Sequence, residues 1–122
     1  MAAKGTQGRR RKAERRGRFS EYIAAAFLMA KGYRILALRA RTPVGEIDIV
    51  ARKGDLVAFV EVKARRLETA AVDAVGGFSQ QRIKAASDLW LARRSDAHRL
   101  SQRYDIIAVR PWRIPRHFPD AF

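Results

Sequence analysis

The 122-residue chain contains no cysteine. That absence excludes disulfide staples, thiolate-bound zinc, iron–sulfur clusters and thiol nucleophiles together. Histidine is scarce as well, with only His98 and His117, so a multi-histidine zinc site or a histidine-rich catalytic array is not expected. The most apolar stretch, residues 22–30, is nine residues long, whereas a membrane-spanning helix needs about twenty. Acids are few: 12 Asp and Glu against 26 Lys and Arg, for a formal net charge of +14. A balance this positive points to an anionic partner, either nucleic acid or an acidic membrane surface. Of the 26 basic residues 20 are Arg, the side chain whose planar fork grips phosphate through two bonds. Hydrophobic residues make up 48%, enough for a core, and the length suits one domain.

The charge is divided unevenly along the chain. Residues 1–18 carry Lys4, Arg9, Arg10, Arg11, Lys12, Arg15, Arg16 and Arg18 against Glu14, a net +7; the other 104 residues hold 18 basic and 11 acidic, again +7. With three glycines and almost no apolar residues, 1–18 reads as a disordered basic arm, and 19–122 as a basic globular domain. Arg15-Arg16 before the apolar run also resembles the start of an export signal. Glu21 at the head of that run, helical spacing within it, and the helix-ending Lys31-Gly32-Tyr33 argue for a folded element instead. The expected location is cytoplasmic, with no membrane association.

Periodicity gives the order αβββαβ, a compact α/β domain with a mixed central sheet flanked by helices. The first helix is capped by Ser20, runs to about Lys31, and presents Ile23, Phe27 and Ala30 on one face. Strands follow over 33–41, 46–51 and 56–64, the last two joined by a hairpin at 52–55 with Gly54 in its left-handed position. Ser79 is expected to cap a second helix over 80–94, its apolar face made of Ile83, Ala86, Trp90 and Leu89. A fourth strand covers 104–109, and the Pro-punctuated tail from Pro111 can add an extended piece. Trp90 and Phe27 read as packing. Trp112, beside Arg110 and Arg113, can stack on a base, but covering the sheet edge is the favoured reading.

Chemistry concentrates in the second and third strands. Alternation puts Glu46, Asp48 and Val50 on one face, with Ile47, Ile49 and Ala51 on the other. In the third strand Val57, Phe59, Glu61 and Lys63 share a face. Counted back from the hairpin, Asp48 and Glu61 fall at matching distances and are expected neighbours. Two adjacent carboxylates repel unless a cation joins them. Lys63 supplies one charge; Mg²⁺ or Mn²⁺ would supply more, taking one or two carboxylates and filling its shell with water and phosphate. Taken alone, Glu61 and Lys63 would form an ordinary surface ion pair. Acids interrupting Ile- and Val-rich strands of a basic protein instead suggest a site built for a cation.

The block Gly45-Glu46-Ile47-Asp48, the thirteen-residue step to Glu61, and Glu61-Val62-Lys63 together resemble the PD-(D/E)XK nuclease-like superfamily. More closely, the chain resembles the YraN-like bacterial family, likened to Holliday-junction resolvases. The likeness covers about residues 17–122, including Lys31-Gly32-Tyr33-Arg34-Ile35-Leu36, Tyr104 to Val109 and the closing Asp120-Ala121-Phe122. It implies a restriction-endonuclease-like core in which Asp48 and Glu61 bind metal, the Val62 carbonyl is a third ligand and Lys63 is the catalytic lysine. Glu21 matches the acidic position on the superfamily's first helix, Glu46 assists or orients neighbouring cations, and Gln81 matches a polar helix residue near such sites. The chain departs from the family at Arg39, where Asn is usual, and at Gln80, where Lys is common.

The resulting expectation is a Mg²⁺- or Mn²⁺-dependent endonuclease on DNA, with branched or structured DNA favoured; symmetric cleavage of two strands would suit a homodimer. The alternative is a non-catalytic nucleic-acid-binding module that keeps the fold. In both, Arg9, Arg10, Arg11, Lys12, Arg15, Arg16 and Arg65 supply nucleic-acid contacts. Deleting residues 1–18 is therefore expected to weaken DNA binding for all sequences and to flatten its salt dependence. The log–log slope should shrink by about 0.9 for each phosphate that the arm neutralises. An unchanged slope in a salt titration would refute a DNA-binding arm.

Overall fold

The computed structural model describes residues 18–64 and 77–122. Residues 1–17 of the basic arm and Arg65 lie outside the described residues, and Arg18, expected in the arm, is helical. Helix α1 covers 18–30 and is followed by β1 (Arg34–Thr42), β2 (Gly45–Lys53) and β3 (Leu56–Ala64). Helix α2 (Gly77–Ala92) and a short 3₁₀ turn (Ala97–Arg99) lead to β4 (Ser101–Val109) and β5 (Arg116–Phe118). Among the described residues the strands form one mixed sheet in the order β1-β2-β3-β4-β5. The β3–β4 pair is parallel and the others antiparallel. A parallel pair requires a crossover, and α2 lies within it. The expected αβββαβ order is present, with β5 added.

The hairpin between β2 and β3 is a two-residue turn in which Gly54 takes φ +61°, a conformation that glycine adopts without a Cβ penalty. β3 is central, and Val57, Ala58, Phe59 and Val60 are all buried. It therefore has a core on each face, as strands covered on both sides do. On one side Ile49, Ala51, Ala58, Val60, Ile107 and Val109 pack against Ala24, Ala25, Leu28 and Tyr33. On the other, Ala40, Ile47, Val50, Val57 and Phe59 pack against Ala86 and Leu91. No described helix is long and apolar enough to cross a membrane.

Several local expectations change. α1 already includes Arg18 and α2 begins at Gly77, so Ser20 and Ser79 lie inside helices rather than capping them. The inward stripe of α1 is Glu21, Ala24, Ala25 and Leu28; Ile23 and Phe27 flank it and Ala30 is exposed. Small residues let the helix approach the sheet closely, which the larger Ile and Phe would prevent. Leu89 is likewise exposed, and Leu91 and the buried Ser87 take its place. Ile47 joins the α2-side core, opposite Ile49 and Ala51, so strict alternation fails at Asp48. β4 begins three residues before Tyr104 because Ser101, Gln102 and Arg103 pair with Leu56, Val57 and Ala58; pairing partners, not polarity, decide that boundary. Trp112 is fully exposed and covers nothing, since β5 itself lies against that side of β4.

The C-terminal strand is fastened through a buried acid. Asp105 is fully buried and accepts from Arg103 at 2.8 and 2.6 Å, from the Asp120 amide at 3.0 Å and from His117 Nε2 at 2.7 Å. Lys31 Nζ lies 2.6 Å from His117 Nδ1; an ammonium only donates, so the Nε2 proton goes to Asp105. Arg103 also donates to the Tyr33 hydroxyl at 2.7 Å, tying β4 to the end of α1. Burial pushes the Asp105 carboxyl up, but Arg103, His117 and the Asp120 amide together outweigh it and hold it at about 2. A native value below the unfolded one stabilises the fold above the unfolded pKa, and that contribution disappears as pH falls towards 2. Asp105→Asn is thus expected to destabilise at pH 7 by roughly 2 kcal/mol and to lose less further stability in acid than wild type. Parallel acid-unfolding curves for the two proteins would contradict it.

Candidate active site

The antiparallel ladder between β2 and β3 runs from Lys53↔Leu56 to Ile49↔Val60 and stops there. The next pair in register would be Asp48 and Glu61. Instead, the Val62 amide donates to Asp48 Oδ2 at 2.9 Å, a side chain standing where a backbone carbonyl would have been. Beyond this point β2 stays paired with β1 through Gly45↔Thr42, and β3 with β4 through Ala64↔Val109. The sheet is therefore forked, and Asp48, Glu61 and Lys63 belong to the fork. Gly45, at the start of β2, lies under the Arg82 side chain of α2: a Cβ there would meet Arg82 Cγ at 2.8 Å. The helix thereby fixes the outer end of the fork.

Lys63 Nζ lies 3.3 Å from Glu61 Oε1, both side chains mostly buried. Glu21 reaches the same region from α1 and is buried, because the inward stripe of the helix includes it. Its Oε2 accepts from Arg39 Nε at 2.7 Å. Burial, then the Glu61 charge, and more weakly that of Glu21, raise the Asp48 carboxyl to about 7; the Val62 amide and Lys63 offset only part of this. Arg39 holds its proton more tightly than usual, first through the hydrogen bond to Glu21 and further through the charges of Glu21, Glu46 and Asp48. These acids and cations share one electrostatic neighbourhood, and its acids are not fully neutralised.

The other expected side chains are exposed, Glu46 contributing only its charge on Arg39. Glu46 is exposed, 3.8 Å from an exposed Arg41, a separation and exposure that contribute little. Gln81 is exposed on α2. Val62 lies at the fork through its amide, which Asp48 Oδ2 accepts. Arg39 takes φ +51°, a left-handed conformation uncommon outside Gly, Asn and Asp. A family that usually carries Asn there, as the resemblance implies, would meet that need with less strain.

A metal can be tested against this donor set. Among the described residues no three Asp, Glu or His side chains form a ready cage. Mg²⁺ and Mn²⁺ do not require one: they favour oxygen donors, and Mg²⁺ commonly binds through one or two carboxylates while keeping its water. Asp48 and Glu61 are oxygen donors, and burial first and the Glu61 charge second raise the Asp48 carboxyl. The residues present fit a hard divalent cation.

The uncharacterised protein family UPF0102 matches residues 20–109, a span that contains Glu21, Arg39, Asp48, Glu61 and Lys63. The chain belongs to that family. A UPF0102 protein of Rhizobium etli is 76% identical over 113 residues, covering 93% of each chain. Those of Rhizobium leguminosarum bv. trifolii and Agrobacterium fabrum are 70% and 63% identical over the whole of both chains. The relatives carry the family name alone.

Two measurements on this UPF0102 protein test the electrostatics and the strain. A native pKa above the unfolded one means that the folded state binds more protons between about 4 and 7, so stability falls as pH rises through that window. In chelator, Asp48→Asn should be more stable than wild type at pH 8, by on the order of 2 kcal/mol, with the gap closing towards pH 4. A gap independent of pH would show that Asp48 is not held protonated. At position 39, Gly and Ala both remove the Glu21 ion pair, but only Gly tolerates positive φ freely. Arg39→Gly should therefore exceed Arg39→Ala in stability by about 1 kcal/mol, and equal melting temperatures would contradict a strained Arg39.

Proposed function

We propose that this UPF0102 protein is a divalent-metal-dependent endonuclease that hydrolyses phosphodiester bonds in DNA, with branched or structured DNA as its preferred substrate, on a PD-(D/E)XK nuclease-like core. The observation that carries this reading is the fork: Asp48 and Glu61 brought together where the β2–β3 ladder ends, with Lys63 beside them. The five-stranded mixed sheet with α1 and α2 packed on opposite faces supports the same placement, as does the Asp48 to Glu61-Val62-Lys63 spacing.

In this reading Asp48 and Glu61 hold Mg²⁺ or Mn²⁺ in the fork, where the ion would lower the pKa of a bound water and shield the phosphate charge during in-line attack. Lys63, paired with Glu61 Oε1 at 3.3 Å, would turn its ammonium towards the substrate once Glu61 is engaged. Lys63 then orients the attacking water or stabilises the charge that develops on phosphorus-bound oxygen. Glu21 stays with Arg39 and adds negative potential rather than a further ligand. The net charge of +14 draws DNA to the surface, and the acidic pocket holds the cation that the polyanion alone would not position.

Purified protein should cut flapped and four-way-junction DNA in Mg²⁺ or Mn²⁺, and Asp48→Ala and Lys63→Ala should each slow cutting by at least about 100-fold without lowering DNA affinity. Binding without cutting on linear, flapped and junction substrates, with both variants unchanged in every property, would overturn the nuclease reading and leave a non-catalytic DNA-binding module.

A further inference from the structure

We infer that the turn between β4 and β5 is a second nucleic-acid contact, in which Trp112 stacks on an unpaired base where single-stranded DNA meets duplex. Trp112 is fully exposed, whereas Trp90 is partly buried and packs edge-on against Phe59 at 6.0 Å. Large aromatic side chains are seldom left wholly in water without a partner. Its backbone takes φ +57°, a conformation that bulky residues rarely adopt and that tends to persist at functional positions. The turn is fastened: the Arg113 amide donates to the Arg110 carbonyl at 3.4 Å, and the Arg110 guanidinium donates to the Ile114 carbonyl at 3.1 Å. The ring is thus presented by a closed turn.

Two further observations choose the partner. Arg110, Arg113 and Arg116 flank Trp112 in the sequence, and no acid occurs between Asp105 and Asp120. Base faces on aromatic rings, with arginines along the backbone, are how sequence-tolerant single-strand contacts are built. The placement also fits. Lys63 is level with Ala108, and Ala108 with Arg116, across β3, β4 and β5. Adjacent strands are about 4.8 Å apart and each residue spans at most about 3.5 Å, so Trp112, four residues past Ala108, has its Cα within about 19 Å of that of Lys63. That is some five or six nucleotide steps along a strand. The inference deepens the proposed function: a ring that captures an unpaired base close to the fork would make junctions and flaps better substrates than uninterrupted duplex.

The contact is testable without cleavage, using the full chain in chelator. The probes are an oligothymidylate of about twelve nucleotides, a blunt duplex and a duplex with a single-stranded tail. Trp112→Ala should weaken binding to the oligothymidylate and the tailed duplex about ten-fold, the loss expected for one stacked base. Blunt-duplex binding should stay within about two-fold, since phosphate contacts carry it. Trp112→Phe should retain most of the affinity, and in a Trp90→Phe background the oligothymidylate should quench the remaining emission. If Trp90→Phe does not fold, the Phe and Ala variants at 112 decide alone. Unchanged binding of Trp112→Ala to the oligothymidylate and the tailed duplex, or an equal loss on all three probes, would overturn the proposal. So would emission that shifts to the blue on phosphatidylglycerol vesicles while ignoring DNA. A selective loss in Trp112→Ala alongside a wild type that cuts nothing in Mg²⁺ would keep the contact and sink the nuclease.

Discussion

The hydrogen bond from the Val62 amide to Asp48 Oδ2 holds the candidate site in place. A strand amide that loses its carbonyl partner inside a sheet must find another acceptor, and a carboxylate supplies it at the cost of burying charge. That single bond ends the β2–β3 ladder one residue short of Asp48 and Glu61 while leaving β1–β2 and β3–β4 intact. It thereby opens a fork in an otherwise continuous sheet. The fork sets the position of Lys63, and Glu21 reaches it because small residues let α1 lie close to the sheet. Gly45 under Arg82 fixes the far side. The geometry is over-determined from three directions, as a site that must hold charges at fixed separations requires.

Two aspartates, the fully buried Asp105 and the half-buried Asp48, contrast in how the protein meets their charge. Asp105 has a guanidinium, an imidazole N–H and a backbone amide directed at it, and its carboxyl is held at about 2. Asp48 has one backbone amide, faces Glu61, and is raised to about 7. The first is fully satisfied by the protein and clamps the C-terminal strand. The second is left short of positive charge in a protein that has a surplus of it. An acid left short of partners in this way is a candidate binding group, whereas a fully partnered one serves the fold.

Much of this is legible from the residues. Gly54 in the left-handed position of the hairpin, the limits of β3 at Leu56 and Ala64, and the approach of Asp48 to Glu61 follow from period-two patterning and one glycine, whereas the pairing of Arg52 and Lys53, which shortens the expected 52–55 loop to two residues, does not. Caps do not follow, because Ser20 and Ser79 look like helix starts while the backbone that decides the matter lies upstream of each. The α1 stripe departs from its apolar spacing because size is a poor sign of burial where closeness to the sheet favours alanine. Ile47 breaks alternation at the residue where the ladder ends, an event with no signature in composition. Asp105 and His117 carry no signal of their pairing, since a polar pair far apart in sequence shows nothing until β4 and β5 bring it together. Arg39 carries one usable signal: an arginine where a residue tolerant of left-handed backbone is expected.

Whether Asp48 and Glu61 share a divalent cation can be read from anomalous diffraction of crystals grown with Mn²⁺. The expected result is a peak in contact with both carboxylates, with Lys63 moved away from Glu61, and its loss in crystals of Asp48→Asn. A Mn²⁺-soaked crystal with no peak in the fork and the Lys63–Glu61 pair intact would contradict it.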